Sequence, residues 1–322
     1  MPMSSTRDGE AWLIAGSAAA LARFEPALEA HRMQREVRLV ELPAAGQGEW
    51  WRGRLDEVAA AVLVADPHVA PRDAVPATHL PDTHERRVPV GVVPDSVAAA
   101  SAIAAVQRRV RTRLGPGPVV LLGSREQRAR QLAERIEAVL LEGDGPAVRR
   151  LTAERLPRYA LLGALGLGPG LAVYVGQGHS RGWGGYGGVE AWQFDVAGAQ
   201  VLGAVLSLTC YAAARPASAP SFSEELVLRG RAASALGAIG AVQHNDNASL
   251  ALAVARRLTE GATTLADALP VSHRALGQYR IVGDPLAPLI GARGARRGIA
   301  AVFAPKLGDE LPPVDWRRAP AS

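Results

Sequence analysis

The sequence contains little of several residue types, and each shortage excludes a class of protein. Cys210 is the only cysteine among 322 residues, so neither an intrachain disulfide framework nor a zinc ribbon can form. Such a chain suits a reducing compartment, and we expect a cytoplasmic protein. Lys306 is the only lysine, and the arginines are scattered although the net charge is +5. The chain therefore lacks the basic patch that binding to nucleic acid requires.

Long apolar runs are missing as well. No stretch of about 18 uninterrupted apolar residues occurs, so we expect no transmembrane span. The first ten residues are polar and do not resemble a signal peptide. Aromatic residues make up only 5% of the chain, yet 48% of it is hydrophobic. The chain can therefore build a large core, mostly from alanine and aliphatic side chains.

Short apolar runs alternate with segments of helical period along the whole chain. Fully apolar strands separated by helices are typical of a parallel sheet that is covered on both faces. We predict strands at 11–15, 37–40, 61–65, 88–93, 119–122, 171–175, 204–208 and 236–242. We predict helices at 26–36, near 50–60, from Asp95 or Ser96 to 113, at 126–141 and at 249–258. The strand at 88–93 contains a proline, which favours an edge position.

A Gly-Pro-Gly-Pro sequence at 115–118 is the clearest linker. We place a boundary there, which divides the chain into an amino-terminal α/β subdomain (1–115) and a second subdomain (116–291). The remaining residues, 292–322, are rich in Arg, Gly and Pro and predict a loosely ordered tail.

The first segment that carries chemistry is a histidine beside glycines. Gly178 and His179 follow the apolar run 171–175 and precede a loop of glycines and aromatic residues. In open parallel sheets, ligands bind beyond the carboxyl ends of the strands, where a general base is useful. The glycines allow substrate to approach the backbone closely. A lone histidine after a strand is more often structural, so this segment does not decide the function by itself.

The only cysteine ends a second predicted core strand. Cys210 follows the run 204–208 and lies 31 residues after His179, which leaves room for one return connection between adjacent strands. A thiol beside a histidine forms a thiolate–imidazolium pair near neutral pH. We therefore predict a His179–Cys210 dyad separated by about 4–6 Å on neighbouring parallel strands. The alternative is an inert cysteine that fills the core.

A serine hydrolase is the competing interpretation. Residues 178–182 match the G-x-S-x-G nucleophile elbow, and Asp246 and His273 follow Ser180 in the order of a serine triad. The elbow requires a helix directly after the serine. Five of the seven residues from 182 to 188 are glycine, which disfavours that helix.

These segments together resemble clan CD cysteine peptidases, and most of all the gingipain (C25-type) family. The similarity spans roughly residues 11 to 290. The segments that carry it are Tyr174 to Trp183 around the Gly-His pair, Phe222-Ser223-Glu224, the strand 237–241, a polar loop at His244 to Asn247, and the closing Gly283-Asp284-Pro285.

The resemblance implies a caspase-like three-layer sandwich, with a mostly parallel sheet, helices on both faces and two packed subdomains. It implies a cysteine endopeptidase that acts on proteins or peptides and needs neither metal nor cofactor. In this interpretation Cys210 is the nucleophile and His179 the general acid and base. Asp284 is a structural turn residue.

The resemblance also suggests where substrate binds, with two departures. Ser180 follows the histidine where the family has Gly, which weakens its oxyanion role beside Gly178. The loop after 119–122 is short and basic, and Glu126 is its only nearby acid. The residues that we assign to substrate binding are Arg125, Glu126, Arg128, Trp183, His244 and Asn245. Because arginines predominate in this loop, we lean slightly to an acidic P1 residue.

A non-catalytic interaction protein on the same scaffold is the remaining alternative, with His179 and Cys210 as vestiges. The sequence does not specify the substrate, the activation step, a regulatory partner or the oligomeric state.

Overall fold

The computed structural model describes residues 11–33, 35–42, 51, 53–65, 78–111, 117–142, 146–152, 157–195, 199–216 and 219–289. The predicted tail after 291 and the first half of the predicted linker at 115–118 lie outside these ranges. Within them, no helix is long and apolar enough to cross a membrane.

The amino-terminal segment alternates strands with helices. Its strands are β1 (Ala11–Gly16), β2 (Val37–Glu41), β3 (Val58–Ala65), β4 (His79–Pro81) and β5 (Arg87–Pro94), and its helices are α1 (Ala18–Arg23), α2 (Glu25–Arg32) and α3 (Val97–Arg111). Side-chain caps fix where helices begin, because they satisfy amides that have no partner within the helix. The Ser17 side chain accepts from the Ala20 amide, and Ser96 Oγ accepts from the Ala99 amide.

The second segment repeats this alternation and adds a small hairpin region. Its strands are β6 (Val119–Gly123), β7 (Val148–Thr152), β8 (Leu171–Val175), β9 (Gly178–His179), β10 (Gly182–Trp183), β11 (Val189–Glu190), β12 (Leu202–Leu208), β13 (Ala232–Ala238) and β14 (Tyr279–Gly283). Its helices are α4 (Gln127–Leu141), α5 (Arg158–Gly166), α6 (Phe222–Leu228), α7 (His244–Thr259) and α8 (Leu265–Ala268), with 3-10 helices at Ala191–Phe194 and Arg274–Gln278.

One large sheet runs through both segments in the order β2-β1-β3-β5-β14-β13-β12-β8-β6-β7, with β4 attached to β5. The sheet consists of two parallel halves that run in opposite directions. Strands β2, β1, β3, β5 and β14 are parallel to one another, as are β13, β12, β8, β6 and β7. The halves meet where β13 pairs antiparallel with β14. The start of β14 therefore lies at the edge where β13, β12 and β8 end.

Helices cover both faces of this sheet, as predicted for a three-layer α/β sandwich. Residues of β6 alternate between two apolar clusters. Val120 and Leu122 pack with helices α1, α2, α3, α5 and α6. Val119 and Leu121 pack with α4 and α7 on the opposite face. This alternation is the strand's period of two residues, used to bury both faces of the sheet.

Four predictions of secondary structure are wrong. The strand predicted at 236–242 is β13 at Ala232–Ala238, four residues earlier. The predicted helix near 50–60 is turn followed by β3, because Val58–Ala65 is completely buried at the centre of the first half-sheet. The β5 strand is internal rather than at an edge. Pro89 fits there because it lies opposite His79 of the short β4, while the ladder to β3 begins only at Val90. The polar residues His244–Asn247 form the first turn of α7 rather than a loop.

The pairing of β14 with β5 joins the predicted amino-terminal subdomain to the second subdomain in one sheet. The boundary between the two subdomains at 115–116 stays a prediction.

Candidate active site

Two adjacent parallel strands carry the predicted dyad to one edge of the sheet. Leu208 at the end of β12 pairs with Val175 at the end of β8. Cys210 lies two residues beyond the first strand end, and His179 lies four residues beyond the second. The prediction that neighbouring parallel strands lead to both residues is confirmed. Their separation of about 4–6 Å stays a prediction.

His179 lies in a β-hairpin rather than directly at the end of a long strand. It pairs with Gly182 of β10, and Ser180 and Arg181 form the turn between them. The exposed imidazole accepts a hydrogen bond at Nδ1 from the Arg181 amide, at 3.2 Å. The Ser180 carbonyl accepts from the Phe222 amide at 2.7 Å, which ties the turn to the start of α6.

A buried tyrosine holds the loop that precedes His179. The Tyr174 hydroxyl donates to the Gln177 carbonyl at 2.7 Å and accepts from the Gly185 amide at 2.9 Å. Its ring stacks on Trp183 with centroids 4.7 Å apart. Burial, with a smaller contribution from the negative charge of Glu126, raises the pKa of Tyr174 to about 12. The hydroxyl therefore stays protonated and keeps the loop in place.

Cys210 is partly buried, and its sulfur contacts the backbone of Val242. The Val242 amide donates to Sγ at 3.4 Å, and the Val242 carbonyl lies 3.7 Å from Sγ. Tyr211 follows with a φ of 62°, a left-handed conformation that is uncommon for a non-glycine residue and often marks a functional site.

Tyr279, at the start of β14, is a further neighbour of the thiol. Its hydroxyl donates to Asn247 Oδ1 at 2.5 Å. Burial, together with the charges of Cys210 and Asp246, raises the pKa of Tyr279. Tyr279 and Asn247 therefore present a neutral hydrogen-bonded pair beside Cys210.

A cavity of about 360 Å³ opens at this edge of the sheet. Its walls come from the ends of β8 and β12, the loop before His179, and the first turns of α4 and α7. The residues that line it are Glu126, Ala129, Val175, Gly176, Gln177, Gly178, Leu208, Cys210, Val242, His244 and Asn247. A volume of this size is typical of small-ligand sites and admits one side chain of a peptide.

Three of the residues predicted for substrate binding or the oxyanion line this cavity, namely Gly178, Glu126 and His244. Glu126 caps α4 through its backbone alone, and its carboxylate makes no hydrogen bond or ion pair within the described ranges. Arg128 lines a neighbouring groove on α4 and α7 that also includes His244. Exposed residues Arg125 and Asn245 line neither space.

Trp183 does not belong to the cleft, and its prediction as a substrate contact is wrong. The side chain is 0% exposed and donates from Nε1 to Ser207 Oγ at 2.9 Å. It also packs edge-on against Phe194 and Phe222. The tryptophan is a core residue because β10 pairs back over the face of the large sheet.

The sequence did not point to Val242, Asn247 or Tyr279. Val242 and Asn247 line the cavity because they follow the end of β13. Tyr279 contacts Asn247 only through the order of the strands, which places the start of β14 beside the end of β13. The polar run from His244 to Asn247 was the one available signal, and its helical conformation selects Asn247 rather than Asn245 for the cavity.

The structure does not assemble the serine triad. Ser180 lies in a two-residue turn that β10 follows, and no helix begins there. Asp246 pairs with Arg274 at 2.6 Å, whereas His273 Nε2 contacts Ser249 Oγ at 3.0 Å. In the described ranges, no group of three or more His, Cys, Asp or Glu side chains is placed to hold a metal ion.

Asp284 lies past the opposite end of β14 from Tyr279, away from this edge. It is 3% exposed, and its Oδ1 accepts from the Leu286 amide at 2.9 Å. Its Oδ2 accepts from Gln107 of α3 at 2.7 Å. The prediction of a structural turn residue is confirmed.

Comparison with known proteins identifies similar folds and one family. The model of peptidase family C25 matches residues 125–289, just over half of the chain. No curated protein sequence matches. The crystal structure of the Arg-specific cysteine proteinase gingipain R (RgpB) has a TM-score of 0.67 at 12% identity, and the match covers 89% of this chain and 80% of that one.

Two further structures match over similar lengths. One, described only as a protease, has a TM-score of 0.66 at 11% identity and covers 88% of this chain and 78% of that one. The complex of the RgpB pro- and mature domains from Porphyromonas gingivalis has a TM-score of 0.63 at 12% identity, with 88% and 80% covered. At such identities these structures establish the shared caspase-like fold.

Proposed function

Since this chain belongs to peptidase family C25 and is a cysteine peptidase, we propose that it is an endopeptidase with Cys210 as nucleophile and His179 as general acid and base. One observation carries this assignment. The only thiol of the chain lines a cavity at the strand ends that lead to His179. The proposed substrates are proteins or peptides.

The proposed reaction has two stages. The Cys210 thiolate attacks the scissile carbonyl carbon, and the tetrahedral adduct collapses as His179 gives a proton to the leaving amine. A thioester on Cys210 and the released amine are the products of this stage. His179 then takes a proton from water, whose oxygen attacks the thioester carbon. The C–S bond breaks, the acyl fragment leaves as a carboxylic acid, and the Cys210 thiolate is restored beside protonated His179. Backbone amides near Gly178 and Cys210 are the proposed oxyanion donors.

The lining of the cavity supports a basic P1 residue. Among the described residues that line the cavity, Glu126 is the only one with a carboxylate. That carboxylate forms no salt bridge with another described residue. The initial lean to an acidic P1 residue depended on Arg125 and Arg128, which lie outside the lining. The similar gingipain R is described as Arg specific. We therefore propose that this peptidase cleaves after Arg or Lys, because a carboxylate and a guanidinium form strong charge-assisted hydrogen bonds.

We also propose a cytoplasmic location. A chain with a single cysteine gains nothing from an oxidising compartment, and its proposed nucleophile must stay reduced to react.

The direct test of the proposed nucleophile compares two alanine variants on a fluorogenic peptide panel that varies only P1. Cys210→Ala should abolish hydrolysis and leave the circular dichroism spectrum unchanged, because alanine fits the same space. Ser180→Ala should retain activity within about threefold, since Ser180 contributes its backbone to the turn. Loss of hydrolysis in Ser180→Ala with full activity in Cys210→Ala would instead establish a serine nucleophile.

A further inference from the structure

The two residues that precede the proposed dyad touch each other. Gly178 precedes His179, and Thr209 precedes Cys210. A Cβ atom on Gly178 would lie 2.6 Å from Thr209 Oγ1 and 2.7 Å from Thr209 Cγ2. Neither distance is attainable between real atoms, so the bare backbone of Gly178 is what allows the two segments to approach this closely.

The reason for glycine at 178 is space rather than backbone conformation. Its φ lies outside the left-handed range that favours glycine, in contrast to Gly187 and Gly188 in the loop that follows. Any L-residue could therefore adopt its backbone conformation. What prevents a side chain is mainly the volume that Thr209 occupies, with the Gly182 carbonyl oxygen as a less close neighbour at 3.1 Å.

Thr209 cannot move aside to make room. The residue is 1% exposed, and its side chain is branched at Cβ, which restricts rotation about χ1. Its hydroxyl is buried without a hydrogen-bond partner in the described part of the chain. The side chain thus acts at this contact through its shape, and the hydroxyl adds no bond that the fold uses.

We propose that Thr209 is a positioning residue of the peptidase site, whose contact with Gly178 sets the separation between the His179 imidazole and the Cys210 sulfur. The proposal rests on the proposed dyad. The stability of a thiolate–imidazolium pair depends on that separation. A displacement of about 1 Å at a catalytic group lowers rates by about 10²-fold.

Alkylation of Cys210 by iodoacetamide tests this without knowledge of the substrate. The rate is followed by intact mass between pH 5 and 9.5, and one adduct is unambiguous because the chain has one cysteine. The wild-type protein should show a reactive shoulder below pH 7, which His179→Ala should remove. Gly178→Ala should slow alkylation at pH 6 at least about tenfold, because the new methyl group forces the segments apart.

A second substitution should reverse that loss. Thr209→Ala removes the two atoms that the new Cβ would approach most closely, and the third neighbour, the Gly182 carbonyl oxygen at 3.1 Å, needs to yield only slightly. Gly178→Ala with Thr209→Ala should therefore recover the shoulder to within about threefold of wild type. Gly240→Ala is the matched control. It adds the same methyl group at a glycine with no atom within 4 Å, and its profile should equal that of wild type.

Single substitutions at Thr209 distinguish the effect of its side-chain shape from that of its hydroxyl group. They add no atoms to the contact with Gly178. Thr209→Val keeps the shape and should leave the profile unchanged, whereas Thr209→Ala should lower the rate at pH 6 about threefold. Equal losses in both variants would show that the hydroxyl matters and would overturn the proposal. So would a Gly178→Ala protein that reacts like wild type, or a double variant as slow as Gly178→Ala. A wild-type profile identical to that of His179→Ala would contradict the proposed dyad, and with it the positioning role of Thr209.

Discussion

Glu126 is the residue on which the proposed specificity depends. Its carboxylate lines the cavity that contains Cys210 and is not used to cap α4. Glu126→Gln keeps the size of the side chain and removes the charge. We expect kcat/KM for substrates with Arg at P1 to fall about 10²-fold, because a charge-assisted pair is replaced by a neutral hydrogen bond.

Arg125→Gln is the control for this substitution, since it changes the charge of an adjacent exposed residue that does not line the cavity. Its kcat/KM should stay within about threefold of wild type. If Glu126→Gln cleaves after Arg as well as wild type does, the carboxylate does not bind the P1 side chain.

Trp183 should affect stability rather than substrate binding. Trp183→Phe removes the Nε1–H that Ser207 accepts and leaves a buried hydroxyl without this partner. We expect the free energy of unfolding to fall by about 1–3 kcal/mol in urea titrations. KM should change less than twofold. Adding Ser207→Ala should recover part of the lost stability, and an additive double variant would contradict the assigned hydrogen bond.

Individual site residues differ in how far the sequence could predict them. Cys210 and His179 stand out because each follows an apolar run and the chain has no other cysteine. Trp183 was misassigned because a glycine-rich loop does not reveal which of its aromatic residues turns inward. Tyr279 escaped notice because it lies 69 residues after Cys210 and reaches the site only through the pairing of β13 with β14.

At the scale of elements, the pairing of β5 with β14 holds the amino-terminal segment to the second segment. A Cβ on Gly91 would lie 2.2 Å from the Gly283 carbonyl oxygen and 3.0 Å from the Pro285 ring. Gly91→Ala must therefore separate these strands. We expect a loss of more than about 3 kcal/mol in unfolding free energy, because backbone atoms cannot yield as side chains do.

Gly163→Ala is the opposite case, since this glycine lies within α5 with no atom near the position of its Cβ. We expect the free energy of unfolding to rise by about 0.5–1 kcal/mol, because alanine restricts the unfolded chain more than glycine does. Equal stabilities of the two variants in urea would show that the β5–β14 junction is looser than described.

Elements with a single strong signal were predictable, and those decided by tertiary context were not. The strands β1, β6 and β8 are continuous apolar runs of the expected length. The segment near 50–60 has helix-forming residues, but the buried centre of the sheet determines its conformation. Pro89 alone predicts that β5 is an edge strand, because proline lacks the amide hydrogen that a central strand needs. That prediction fails because β4 pairs with the proline-containing end of β5, and no pattern in the sequence shows this pairing.

At the scale of the whole molecule, the proposed catalytic residues lie at the sheet edge close to where the two half-sheets of opposite direction meet. Strands of the amino-terminal half end at the opposite edge, so the loops that follow them lie away from Cys210. Strand β14 runs in the same direction, but because it pairs antiparallel with β13, its first residue lies beside the end of β13, near the thiol. The α/β class followed from the alternation of strands and helices, whereas this reversal depends on strand order, which no local pattern encodes.

The most direct test of the dyad is the covalent labelling of the intact protein by a peptidyl acyloxymethyl ketone with Arg at P1, followed by peptide mapping. We predict one adduct, on Cys210. It should form at neutral pH, be lost on prior denaturation, and form at least about 10²-fold more slowly in His179→Ala. An adduct on another residue, or equal labelling of wild type and His179→Ala, would contradict the assignment of Cys210 and His179 as the catalytic pair.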